Sequence, residues 1–220
     1  MVGRYGADTC RLFVLFAAPP EKDMPWIEAS VGGQRRFLER VHRFVMRNID
    51  RQGSGDADAS RRALRKLHQT IAKVTDDFSN RWHFNTSIAA LMELINELYA
   101  EEDKLSREAL DQILPALTLM LGPFAPYMAE ELWEALGRTG PVFRQKWPEA
   151  DESLAKEDLA EVVLQVNGKV RGRIFVAFGT SKEELERVAK EDPKLKPLLE
   201  GKQIVKVIVV PDKLVNIVVK

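Results

Sequence analysis

A single cysteine, only three histidines and no apolar run near the ~20 residues of a membrane-spanning helix bound what this 220-residue chain can be. Cys10 alone cannot build a disulfide framework and suits a reducing compartment, so a cytoplasmic location is expected. His42, His68 and His83 lie far apart and outside any metal-ligand spacing, which leaves no metal site and no general base with an obvious partner. The glycine-rich stretch Gly53-Ser54-Gly55 falls between helical segments, not after a strand, and matches no phosphate-binding loop. The acidic pair Glu130-Glu131 is adjacent in sequence, and neighbours on a helix diverge by about 100°, so the two cannot converge on one substrate atom. No charged-then-apolar leader opens the chain. Catalytic residues are therefore expected to be absent, and the chain is expected to bind or assemble.

Net charge is absent too, with 33 basic and 33 acidic residues, but the sum hides a division. Positions 34–73 hold eleven basic against four acidic residues, a local excess of +7. Positions 86–161 hold six basic against sixteen acidic, or −10. Positions 162–176 carry Lys169, Arg171 and Arg173 and no acid. Segregation of this kind forms a footprint for a polyanion, or a set of solvated helix faces that pair with one another.

The apolar pattern predicts a multidomain protein, α then α+β. Residues 7–17 form a short helix ended by Pro19-Pro20, followed by a loop with Lys22, Asp23 and Pro25. Residues 26–52 have helical spacing through Phe37, Val41, Phe44 and Val45. A second helix carries Leu67, Ile71, Val74, Phe78 and Trp82; a third is capped by Asn85 or Thr86. A fourth opens at Ser106 and is bent or broken by Pro115; a fifth, over 129–136, closes at Gly137. Short connections between amphipathic helices predict an antiparallel bundle. The tryptophans and His42 are expected to pack, and Cys10 to lie inert in the core. After position 151 the period changes to two over 162–178, then a capping box at Ser181 opens a helix. A short helix over 194–199 and strands over 204–210 and 214–219 follow, joined by a turn at Pro211-Asp212-Lys213. The expected division is 1–25, a helical bundle over 26–150, a mobile linker over 151–160 and a small α+β domain over 161–220.

Two cationic surfaces stand out. Arg36, Arg40, Arg43 and Arg47 fall within roughly 60° on one helix face, away from Phe37, Val41 and Phe44. Guanidinium forks suit phosphate oxygens, although pairing with the later acidic helices is an alternative use. The second surface is the Asn167-Gly168 hairpin. A two-residue turn would pair Val166 with Lys169 and turn Lys169, Arg171 and Arg173 to the buried face. A three-residue loop, Val166-Asn167-Gly168, pairs Gln165 with Lys169 and presents Gln165, Lys169, Arg171 and Arg173 outward. That register is the expected one, with Val162, Leu164, Val170, Ile174 and Val176 inside. Gly172, in mid-strand, marks a bulge or a close backbone approach. Edge-strand protection is the alternative role for these cations.

Several motifs resemble a known family. Tyr5-Gly6-Ala7-Asp8-Thr9, Arg11-Leu12-Phe13, Ala18-Pro19-Pro20-Glu21 and Trp26 are similar to the stretch after the signature lysine loop of class I aminoacyl-tRNA synthetases. The runs from Phe84 to Glu93 and from Pro123 to Trp133 resemble the helical anticodon-binding domain of the leucine, isoleucine and valine group. Tyr127 stands where that group often has His. Gln165-Val166-Asn167-Gly168-Lys169-Val170-Arg171-Gly172 and Leu214-Val215-Asn216-Ile217-Val218 are similar to the C-terminal domain of bacterial-type leucyl-tRNA synthetases. The resemblance implies the tRNA-binding C-terminal part of a leucine–tRNA ligase, opening on the end of the stem region, with tRNA(Leu) as partner and no membrane. It also implies catalytic and editing domains elsewhere in the same chain, ATP with Mg as substrate there, no cofactor here, no aminoacylation by this portion alone, and a monomer. Arg36, Arg40, Arg43 and Arg47 are then expected along the tRNA backbone, and Gln165, Asn167, Lys169, Arg171 and Arg173 at its outer corner, where shape, phosphates and stacking carry recognition. A free-standing RNA-binding or scaffolding protein built from the same modules is the alternative.

Overall fold

The computed structural model describes residues 1–18, 31–156 and 159–220; of Leu159 only the backbone is described. The expected stop at Pro19-Pro20, the loop with Lys22, Asp23 and Pro25 and the helix start at Trp26 lie outside those residues. The chain divides into two compact units, Met1–Lys156 and Glu157–Lys220.

The first unit is helical: α1 (Val2–Tyr5), α2 (Ala7–Ala17), α3 (Val31–Asn48), α4 (Ala57–Asp76), α5 (Phe84–Glu101), α6 (Arg107–Leu121), α7 (Pro126–Ala135) and α8 (Glu152–Ala155). Their apolar stripes meet in one core that includes Leu12, Val41, Phe44, Ile71, Ile95, Leu117 and Phe124, each at most 2% exposed. The Asp56 carboxylate caps α4 by accepting from the Ala59 N–H, and the Ser106 hydroxyl caps α6 by accepting from the Ala109 N–H.

Four local expectations fail here. Pro115 does not break α6, which runs unbroken to Leu121. The bond it removes would have gone to the carbonyl of Asp111, an exposed residue, so the lost bond is not a buried one. The third helix, α5, begins at Phe84 without a side-chain cap; Thr86 instead donates to the carboxylate of Asp77 at 2.6 Å. Trp82 does not pack into the core. A π-turn, Asp77–Arg81, ends α4, and Trp82 leaves it in the left-handed region (φ 55°) with 65% of its surface exposed. Cys10, expected in the core, is only partly buried. The segment after α7 is held on α4: Trp147 Nε1–H donates to Thr75 Oγ1 at 2.9 Å, the Asp151 N–H to His68 Nδ1 at 3.1 Å, and Gln69 to the Ala155 carbonyl at 2.9 Å.

The second unit holds β1 (Leu159–Val166), β2 (Lys169–Ala177), α9 (Lys182–Glu191), α10 (Lys196–Leu199), β3 (Ile204–Val210) and β4 (Leu214–Val219). The four strands form a mixed sheet in the order β2-β1-β4-β3, with β1 parallel to β4 and the other two pairs antiparallel. Val162, Leu164, Val215 and Ile217 on one face of the sheet close over Leu185, Ala189 and Leu195. Ser181 caps α9 by accepting from the Glu184 N–H, while the Glu184 carboxylate turns to Arg187 and does not complete a capping box.

Candidate nucleic-acid interface

The hairpin corrects the expected register. Val166 pairs with Lys169 across a two-residue turn, in which Asn167 (φ 49°) and Gly168 (φ 76°) both have positive φ, the signature of a type I′ turn. That choice alone would bury the arginines. The strand avoids this by a bulge: Gln165 pairs with Val170, but Leu164 pairs with Gly172, so Arg171 is the extra residue. From Gly172 onward every side chain is shifted by one. Ile174 and Val176 pack on the core, while Arg173 and Phe175 take the open face. Val170, expected inside, is 57% exposed, because it precedes the bulge.

Lys169, Arg171 and Arg173 are all exposed. Arg173 Nη1 lies 2.9 Å from Glu161 Oε1 on β1. Gln165 is half-buried on the face that carries Arg173, whereas Lys169 pairs with Val166 at the end of the other face. Asn167 has a structural duty: its side chain accepts from the Val219 N–H at 2.9 Å and donates to the Val219 carbonyl at 3.2 Å, pinning the turn to the end of β4.

The arginine face of α3 is split. Arg36 and Arg43 are exposed. Arg40 lies along α5, where its guanidinium donates to Asn96 Oδ1 at 2.8 Å and stands over the Tyr99 ring at 4.9 Å. The Tyr99 hydroxyl in turn donates to the Arg40 carbonyl. Arg47 stands 3.5 Å from the buried carboxylate of Glu102, which also accepts from the Asn48 amide at 2.9 Å. The cations of α4 pair with the acids of α5 more fully: Arg62 with Glu101 at 2.6 Å and Lys66 with Glu93 at 2.8 Å. The hydrogen bond from Arg62 holds the Glu101 carboxyl below the ordinary carboxylate range. Part of the charge division between positions 34–73 and 86–161 is thus used between neighbouring helices. Glu130 accepts from the Val142 N–H at 2.9 Å. His42 Nε2 lies 3.5 Å from Glu131 Oε1 and sits at the rim of the core. Among the described residues there is no cluster of three metal-ligating side chains and no helix long and apolar enough to cross a membrane.

The outward sheet face also carries Phe175, which the pattern of cations does not pick out. The signal was present in the period-two pattern, since Phe175 lies between Ile174 and Val176 and must point away from them.

A helical bundle is followed by a small mixed sheet, with cations exposed on α3 and on the hairpin. The family model for the anticodon-binding domain of tRNA ligase matches residues 60–186, and the chain belongs to that family. Within it, the chain is similar to leucine–tRNA ligases. That of Solibacter usitatus (strain Ellin6076) is 58% identical over the whole chain, and that of Fusobacterium nucleatum subsp. nucleatum is 44% identical over the whole chain. The chain spans about a quarter of the length of these relatives, 27% in both. A crystal structure of an Agrobacterium radiobacter K84 LeuRS in a ternary complex with tRNA and LeuAMS superposes with a TM-score of 0.85 at 30% identity, covering all of this chain and 29% of that one.

Proposed function

We propose that this chain is the tRNA-binding C-terminal part of a leucine–tRNA ligase and positions tRNA(Leu) for leucylation by a catalytic domain elsewhere in the same protein. The observation that carries this reading is whole-chain similarity, across both units, to leucine–tRNA ligases. The geometry supports it. Lys169 and Arg171 are exposed on a rigid turn pinned to β4, and Arg36 and Arg43 are exposed on a helix anchored by its neighbours. Arg40 joins the α3 face by exchanging its bond to Asn96 and its place over the Tyr99 ring for a phosphate, while Arg47 keeps the buried Glu102 carboxylate and offers its remaining N–H donors to the RNA backbone. ATP with Mg belongs to the catalytic part. The protein would work in the cytoplasm as a monomer.

Binding of the chain to a leucine tRNA transcript and to a second tRNA, across salt concentrations, tests the reading. Each phosphate contact should add roughly 0.7–0.9 to the magnitude of the log–log salt slope. Replacing Arg171 and Arg173 together by Ala should weaken binding and flatten that slope. Equal affinity for the double variant and the parent would refute the assignment of the hairpin.

A further inference from the structure

The second unit has two unlike sides. α9 and α10 cover one face of the sheet, and there the charges are paired locally: Arg187 with Glu184 at 2.6 Å and Lys190 with Glu186 at 3.4 Å. No other described element of this unit covers the other face. Across it runs a row formed by Arg173, Val163, Leu214 and Val210, one from each strand in sheet order. Phe175 stands beside this row, two residues along β2 from Arg173 and about 7 Å away. It is 68% exposed, a large aromatic ring offered to solvent from the middle of a strand. The strands and their tight turns carry Lys169, Arg171, Arg173, Lys206 and Lys213 against only Glu161 and Asp212. Glu161 is engaged by Arg173, and Asp212 accepts from the Gly179 N–H at 2.8 Å.

Phe175 is the one aromatic ring within the described strands, and it stands opposite Glu161. It shares its face with the exposed Val170, Ile208 and Val210 and lies among five cations against two acids, so a base attached to phosphates matches both the ring and the charge. We infer that Phe175 is a stacking platform for an unpaired base of the bound RNA, with Arg173, braced by Glu161, beside it at the adjoining phosphate. The hairpin cations then supply attraction and register, and the sheet face supplies contact with a base. This rests on the tRNA-binding reading above and adds a contact that the cations alone do not provide. Stacking tolerates any base but requires an aromatic ring, which separates it from simple apolar contact.

The test uses the 220-residue chain, a leucine tRNA transcript as probe, and three variants: Phe175→Ala, Phe175→Leu and Phe175→Tyr. Phe175 is exposed, so all three should keep the fold, checked by circular dichroism. Stacking on an aromatic ring predicts that Ala and Leu weaken binding about five- to 150-fold, that Tyr retains it, and that the salt slope stays unchanged in all three. Arg171→Ala with Arg173→Ala provides the contrast, since it must lower the slope. If Leu binds as well as Phe, the face makes apolar contact and the stacking inference is overturned. If Ala binds as well as Phe while the double arginine variant fails, the inference is overturned and the tRNA-binding reading stands. Loss of self-association in the Ala variant with RNA affinity intact assigns the face to a second copy and also overturns it. Failure of the parent chain to bind the transcript overturns both.

Discussion

Asp77 is the residue on which the end of the helical unit hangs, and its replacement by Asn or Ala should be costly. Its surface is fully buried where α4 gives way to the π-turn. Its carboxylate accepts from the Lys73 ammonium, from Thr86 Oγ1 at 2.6 Å and from Ser87 Oγ at 3.2 Å, and so ties α4 to the first turn of α5. Breaking a buried ion pair costs about 3–5 kcal/mol when the surviving charge is left dry. Lys73 is 41% exposed at its side chain, so water takes over its ammonium in the variant. Thr86 already lies 2.9 Å from the His83 carbonyl, which gives its hydroxyl a second acceptor. The expected loss is therefore about 2–3 kcal/mol, the value of one or two hydrogen bonds to a charged group. At ~2–4 °C per kcal/mol for a chain of this size, the melting temperature should fall by roughly 4–12 °C. All four tryptophans precede position 157, so tryptophan fluorescence reports the first unit alone. The pH dependence gives a second check. Burial pushes the Asp77 carboxyl up, but the Lys73 ammonium and the Thr86 and Ser87 hydroxyls outweigh it and hold the group below its ordinary 3.8. A depressed folded pKa stabilises the protein above the unfolded value, and that stability is lost as pH falls through the folded one. The gap between parent and Asp77→Asn should thus be constant from neutral pH down to about 5 and narrow below about 4. A gap under about 0.5 kcal/mol at neutral pH, the range of an ordinary surface substitution, would refute the reasoning.

Gly55→Ala should destabilise the same unit by about 1–3 kcal/mol in urea titration. Gly55 has φ 61°, and a Cβ there would lie 2.6 Å from the Lys104 carbonyl oxygen and 2.7 Å from the Leu105 carbonyl carbon, against backbone that cannot yield. Asn167→Ala removes both side-chain bonds to Val219, and hydrogen exchange at the Val219 amide should quicken to match a local loss of about 1–3 kcal/mol. His68 is held neutral: burial pushes its pKa below the ordinary 6.5, against a smaller upward pull from Asp151, and Nδ1 accepts from the Asp151 N–H. Its unfolded form takes up a proton first, so stability of the parent should fall as pH drops below about 6.5, and His68→Gln should flatten that slope when unfolding is followed by Trp147 fluorescence.

The helices were legible because burial on one side leaves a periodic trace: Phe37, Val41, Phe44 and Val45 mark the buried face of α3, and each is at most 5% exposed. What failed were local inferences that a single tertiary contact can reverse. Thr86 has the chemistry of a cap, yet Asp77, nine residues earlier, offers a charged acceptor, and the hydroxyl goes there. Trp82 has the bulk of a core residue, but the π-turn after Asp76 adds a residue to the helical register and turns that position outward. The arginine face on α3 was legible as a face, whereas its partners were not. Nothing in the spacing of Arg40 says that Tyr99 and Asn96 on α5 will lie beside it.

The hairpin joins the two kinds of error. Turn chemistry favours a two-residue type I′ loop at Asn167-Gly168, and face patterning forbids it, because the arginines would then be buried. Taken as alternatives, they predict a longer loop. The strand satisfies both, first by the tight turn that Asn167 can pin to Val219, then by an extra residue at Arg171 that resets the faces. The bulge sits next to Gly172, where a Cβ would meet Lys194 and Asp192 at 3.7–3.9 Å, ordinary contact distances. Alanine is therefore sterically acceptable at 172, and the bulge is fixed by the two demands on either side of it. Its consequence is functional. Without the one-residue shift Phe175 and Arg173 would face the core; with it, ring and guanidinium stand together on the open side of the sheet, where an RNA base and its phosphate can meet both.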